Sequence, residues 1–108
     1  MKSYNIKIDM PTQLLAKQRL DMILKYEREP IIKIVHGYGS TGVGGVIKDM
    51  VRKELDERLA KVEIKAYIPG EAFGSLFGFD HIIRTYQHLL KHDPDYKRNN
   101  PGITYIIL

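Results

Sequence analysis

The residues best suited to chemistry lie together in the run His36-Gly37-Tyr38-Gly39-Ser40-Thr41-Gly42-Val43-Gly44-Gly45, where a histidine leads five glycines. Glycine permits positive φ and lets a ligand approach the backbone. A helix starting behind such a loop adds unpaired N–H groups and the positive end of its dipole. These are the physical requirements of an anion site. Ser40 and Thr41 add hydroxyl donors, and Lys48 and Arg52 fall in the first two turns of the expected helix, within reach of a phosphate. The expected phosphate- or nucleic-acid-binding set is therefore Gly37, Gly39, Ser40, Thr41, Gly42, Gly44, Gly45, Lys48 and Arg52. The plainer alternative is a strand-to-helix connection that holds no ligand.

Two common uses of such a loop are disfavoured. Gly37-Tyr38-Gly39-Ser40-Thr41-Gly42 satisfies GxGxxG, but it follows the second expected strand, and 108 residues leave no room for a second mononucleotide-binding half. A nicotinamide cofactor is not expected. Gly44 is followed by Gly45 and Val46 rather than Lys and Ser or Thr, so an NTP-binding P-loop is not expected either. No cofactor is assigned.

Other candidate groups are weaker. His81, His88 and His92 fall near one face of a helix, and His88 with His92 has the i, i+4 spacing of a metal pair, but no third ligand is evident and no metal is assigned. Lys91, His92, Lys97, Arg98 and Asn99, with Tyr96 among them, form a basic, aromatic-containing stretch suited to phosphate contact or simply to solvation. The chain has no cysteine, which excludes a disulfide-linked partner, a thiolate metal site and a cysteine nucleophile.

The elements that must position the glycine loop are legible as periodicities. Tyr4 to Asp9 alternates as a half-buried first strand, and Pro11 ends it. Thr12 is a plausible N-cap for a helix with Ala16, Leu20, Ile23 and Leu24 on one face. Ile31-Ile32-Lys33-Ile34-Val35 reads as a central strand that delivers His36 to its C-terminal end. A second helix carries Ile47, Met50, Val51, Leu55 and Leu59, and Val62 to Ile68 alternates as a third strand before Pro69-Gly70. The order β-α-β-α-β favours parallel pairing. A third helix carries Ile82, Ile83, Tyr86, Leu89 and Leu90, with Asp80 as a candidate cap, and Ile103 to Leu108 is the fourth, sheet-completing strand.

Length and composition agree with one folded domain over residues 1–108: 44% hydrophobic and 28% charged residues lie in the globular range. The chain carries 17 Lys and Arg against 13 Asp and Glu, a net +4 that modestly favours anionic partners such as nucleic acid. No apolar run approaches the roughly 18 residues needed to span a bilayer, so a cytoplasmic protein with no membrane partner is expected.

Ile34-Val35-His36-Gly37-Tyr38-Gly39-Ser40, the helix opening Gly45-Val46-Ile47-Lys48 and the ending Gly102-Ile103-Thr104-Tyr105-Ile106-Ile107-Leu108 resemble the Smr (small MutS-related) domain over nearly the whole chain. The resemblance implies a two-layer α/β sandwich with a four-stranded mixed sheet, similar to the C-terminal domain of bacterial translation initiation factor three. It also implies binding of DNA or RNA, with endonuclease or nicking activity in several members. The family's first motif, Leu-Asp-x-His, has Ile8-Asp9-Met10-Pro11 as its counterpart, so Asp9 is kept and Pro11 stands where the family has His. Proline neither transfers a proton nor binds a metal. The stretch Phe73 to Asn100 is longer than the usual loop and implies an added helix.

Cleavage of a phosphodiester would need a base or metal to activate water and cations to stabilise the transition state. Asp9 and His36, each at the C-terminal end of a strand, are the candidate catalytic pair, with Asp9 orienting or activating His36 and Lys48 holding phosphate. The structural reading of the same residues is that Asp9 caps a turn and His36 hydrogen-bonds the loop. A binder of a phosphorylated metabolite or nucleotide, or a ligand-free interaction module, are the other classes the loop allows.

Overall fold

The computed structural model describes residues 1–38, 43–74 and 78–108, and only the backbone of residues 43 and 44. Among the described residues four strands and three α-helices follow in the order β1 (Lys2–Asn5), α1 (Gln13–Tyr26), β2 (Ile31–Val35), α2 (Val43–Ala60), β3 (Ala66–Pro69), a 3-10 turn (Gly70–Phe73), α3 (Asp80–Leu90) and β4 (Ile103–Ile107). The strands form one mixed sheet in the order β1-β2-β4-β3. β1 runs parallel to β2, and β4 is antiparallel to both of its neighbours.

The expected succession of parallel strands thus holds in direction but not in adjacency. β1, β2 and β3 all point the same way, yet β4 lies between β2 and β3. The edges go to the strands least able to sit inside: β1 is largely exposed, and β3 ends in Pro69, which has no N–H to give to a ladder. Every residue of β4 is buried, as are four of the five in β2. The C-terminal ends of β1, β2 and β3 and the N-terminal end of β4 therefore share one edge of the sheet.

The two faces have separate cores. Ala16 and Leu20 of α1 and Ile47, Met50, Val51 and Leu55 of α2 pack on Ile32, Ile34, Tyr67 and Ile106, forming the two-layer α/β unit. On the far face, Ile31, Ala66, Ile68, Ile103, Tyr105 and Ile107 are covered by Ala72, Leu90 and the half-buried side of α3. The excursion between β3 and β4 thus supplies the added helix, and α3 lies across the sheet from α1 and α2.

Several local expectations shift. Thr12 caps α1 as read, accepting from Leu15 N at 3.2 Å. Asp80 does not cap α3; the N-cap is Phe79, with no side-chain cap bond, and Asp80 is the first helical residue. β1 ends at Asn5, because Ile6 to Asp9 turn: Met10 N donates to Lys7 O, Asp9 and Met10 have φ of 64° and 48°, and Arg19 donates to the carbonyls of Ile6 and Ile8. β3 begins only at Ala66, because the chain leaves α2 through a C-terminal cap. Val62 N donates to Leu59 O and Glu63 N to Arg58 O, with Val62 at φ 59°, the bond pattern of a Schellman motif. Leu59, expected on the core face, is 38% exposed.

Candidate functional site

β2 delivers His36 to the shared sheet edge, where neighbouring strands close over it. The main-chain N–H groups of His36 and Gly37 both donate to Gly102 O, at 2.9 and 3.1 Å. The His36 side chain is completely buried. Its Nδ1 lies 2.6 Å from Gly37 O, and because a carbonyl only accepts, Nδ1 carries the proton. In the neutral ring Nε2 is then the acceptor, and it receives the Thr104 hydroxyl at 2.8 Å. Burial pushes the imidazole pKa down to about 4, opposed by the Gly37 carbonyl and assisted by the charges of Lys48 and Arg52.

This geometry revises the candidate catalytic pair. Both ring nitrogens of His36 are engaged within β2, its following loop and β4, so the imidazole joins the glycine loop to the sheet rather than facing a substrate. Asp9 is exposed in the turn four residues beyond the end of β1, and neither of its expected partner's nitrogens is open to it. Of the two readings of these residues, the hydrogen-bonded loop histidine describes His36.

The helix behind the loop starts earlier than expected. Gly44 and Gly45 belong to α2, which begins at Val43, so Lys48 lies in its second turn and Arg52 in its third. Spaced i, i+4, the two cations share one side of the helix. They converge on one carboxylate: Lys48 Nζ lies 2.6 Å from Glu71 Oε2 and Arg52 Nη2 3.1 Å from Glu71 Oε1. Their side chains are 23% and 32% exposed and that of Glu71 is 23% exposed, so the cluster is partly solvated and keeps one net positive charge. Arg52 also lies over the Tyr67 ring, 5.8 Å from its centroid, a cation–π placement that fixes the guanidinium.

Glu71 was not foreseen from the sequence. It stands in the 3-10 turn after β3, 23 residues from Lys48, and only the return of β3 to the shared edge brings it there. The approach depends on Gly70, where a Cβ would meet Asn100 O at 2.0 Å. Asn100 in turn accepts from Gly102 N through Oδ1 at 2.9 Å, so the cation cluster and the His36 loop are joined through the segment preceding β4. Thr104 and Gly102 are the other contributors that local reading missed; both belong to the ending noted above as a motif. Gly39, Ser40, Thr41 and Gly42 lie outside the described residues.

On the opposite face, the loop after α3 is held by a second charge cluster. Lys33 Nζ contacts Asp93 Oδ1 at 3.1 Å and Asp95 Oδ2 at 2.8 Å, and Tyr105 donates to Asp93 Oδ2 at 2.6 Å. The basic stretch sits beyond this anchor. Tyr96 packs edge-on against Phe73 with centroids 5.2 Å apart, and Lys97 lines an open cleft of about 500 Å³ with Ala72, Phe73, Asp80, Ile83 and Arg84. His81, His88 and His92 are all exposed. No group of three or more potential metal ligands is found among the described residues.

Among the described residues no helix is long and apolar enough to cross a membrane. Comparison with models of known families, with curated proteins and with solved structures returns no match.

Proposed function

We propose that this chain is an Smr-type, cytoplasmic nucleic-acid-binding domain that contacts the sugar-phosphate backbone of DNA or RNA at the sheet edge formed by His36-Gly37, Lys48 and Arg52. The observation that carries this reading is the convergence of Lys48 and Arg52 on the single, partly solvated carboxylate of Glu71 beside the start of the glycine loop. Two cations drawn together on one oxyanion are spaced to accept another, and a phosphate offers the same bidentate geometry. The net positive charge of the chain and the motif residues of the ending support the same reading. Binding rather than cleavage is the activity favoured. The histidine that could act as a base is buried, neutral and bonded at both nitrogens, and Pro11 replaces the other motif histidine.

The test is a salt titration of binding to labelled single-stranded RNA and DNA. Wild type is expected to weaken steeply as salt rises. Lys48→Gln combined with Arg52→Gln should lower affinity about tenfold or more at low salt and make the slope shallower by about 1.4, since each lost phosphate contact on a single strand removes about 0.7. A shallow slope in wild type would instead indicate one phosphate held in a pocket, as in a phosphorylated metabolite. Absence of binding would refute the nucleic-acid reading. Cleavage that persists in Lys48→Gln and is abolished in His36→Asn without loss of folding would restore the histidine as a catalytic residue.

A further inference from the structure

We propose that Tyr38 is a base-stacking residue and that the domain consequently takes single-stranded nucleic acid in preference to closed duplex; this rests on the nucleic-acid reading above. The observation is a large aromatic ring left 57% exposed at the same sheet edge and backed by a residue that has no side chain. A Cβ at Gly102 would stand 3.3 Å from Tyr38 Cδ1 and 3.5 Å from Gly37 Cα, so the ring lies directly against the main chain there. That support is itself fixed: Gly102 O accepts from His36 N and Gly37 N, and Gly102 N donates to Asn100 Oδ1.

An exposed tyrosine alone would mean little, since much of any protein surface is apolar. Tyr38 differs in being held from behind and open in front. It directly follows Gly37, whose φ of 77° turns the chain outward at the end of β2. Its backing residue Gly102 is joined through Asn100 to Gly70, the neighbour of the carboxylate that gathers Lys48 and Arg52. In this proposal a strand whose phosphates lie on that cation pair lays one of its bases on the ring. Bases of a single strand have free faces to stack on an aromatic side chain, whereas those of a duplex are already stacked on one another. Stacking is tolerant of sequence, so the expected preference is for strandedness and not for a motif.

The experiment is fluorescence anisotropy with a labelled unstructured oligonucleotide and a blunt duplex of the same nucleotide length, using wild type, Tyr38→Ala and Tyr38→Phe, with thermal melts of each variant. Wild type should bind the single strand more tightly. Tyr38→Ala should lower single-strand affinity about tenfold, leave duplex affinity within about twofold and keep the same salt slope, because stacking displaces no counterions. Tyr38→Phe should retain the wild-type preference, since the ring is what stacks. Equal affinities of wild type and Tyr38→Ala for the single strand, or equal losses on both nucleic acids, would overturn the inference and leave the backbone-binding reading standing. Binding of neither nucleic acid by wild type would overturn both.

Discussion

The charge clusters around Lys33 and around Glu71 use the same side-chain chemistry in opposite ways. Around Lys33, whose side chain is 10% exposed, every polar neighbour is committed: Asp93 accepts from Lys33 and Tyr105, and Asp95 accepts from Lys33 and Asn100. Burial pulls the Lys33 ammonium pKa down, but hydrogen bonds to the two carboxylates outweigh it and hold the group firmly charged. Around Glu71 the two cations are two to three times more exposed than Lys33, and the positive charges outnumber the negative. The first arrangement fastens the loop after α3 to the sheet and cannot exchange partners without leaving a buried ion. The second can exchange, because water reaches it. Burial of the cation, not the identity of the residues, separates the anchor from the exchangeable cluster.

The largest effect should come from the anchor. Lys33→Met leaves two carboxylates facing each other on the buried side of the sheet and should destabilise the fold by about 3–5 kcal/mol, read as a lower midpoint in urea or thermal unfolding. Lys48→Met, the matching change in the open cluster, should shift stability by about 1 kcal/mol or less. Similar losses for the two would break the distinction.

Acid should sharpen the contrast between the edge and the anchor. The His36 pKa is lowered from 6.5 to about 4 in the fold, so below pH 6.5 the unfolded chain takes up a proton that the native state refuses. Stability should therefore fall as pH drops from 6.5 toward 4, by up to about 3 kcal/mol from this group, and His36→Asn should flatten that slope. The anchor responds at lower pH. Its hydrogen bond from Lys33 holds the Asp95 carboxyl below its ordinary value, so its contribution is present above that value and is lost only as pH falls beneath the usual carboxylate range. Equilibrium unfolding of wild type and His36→Asn at several pH values between 7 and 3 distinguishes the two windows.

The smallest change in stability and a gain in binding are expected from Glu71→Gln. Removing the competing charge should raise affinity for single-stranded nucleic acid several-fold at low salt while altering stability by about 1 kcal/mol or less. Unchanged or weaker binding would mean that Glu71 positions the cations for their ligand instead of occupying their place.

How much of this was legible in the sequence depends on the distance over which each feature is decided. The helices and the two central strands follow from local periodicity, and Thr12 announces the start of α1 by its residue type. The ends of β1 and β3 were misjudged because Ile6-Lys7-Ile8 and Val62-Glu63-Ile64 alternate like strands while their backbones turn. Asp9, Met10 and Val62 take positive φ, which residue type does not signal for methionine or valine. Lys48 and Arg52 could be picked out as cations behind a glycine loop. Their shared carboxylate could not, since Glu71 reaches them only through the pairing of β3 with β4. Likewise Lys33 stands within an apolar strand with nothing local to pair it, and its partners stand about 60 residues away. His36 stands out in the sequence, but its two ring contacts give it a role in joining strand ends that spacing alone does not distinguish from a role in proton transfer.

The central position of β4 has a consequence for how the molecule is made. Synthesis proceeds from the N-terminus, so β1, β2 and β3 all leave the ribosome before the strand that bridges them. Until Ile103–Ile107 arrives, β2 and β3 each present an unpaired edge, and the carbonyl of Gly102 and hydroxyl of Thr104 that hold His36 do not yet exist. Between the emergence of β3 and that of β4 the nascent chain must therefore keep two apolar strand edges from meeting other chains, a hazard that chaperone capture would relieve. Completion of the sheet and fixing of the His36 edge become a single event, set by the emergence of the same few residues.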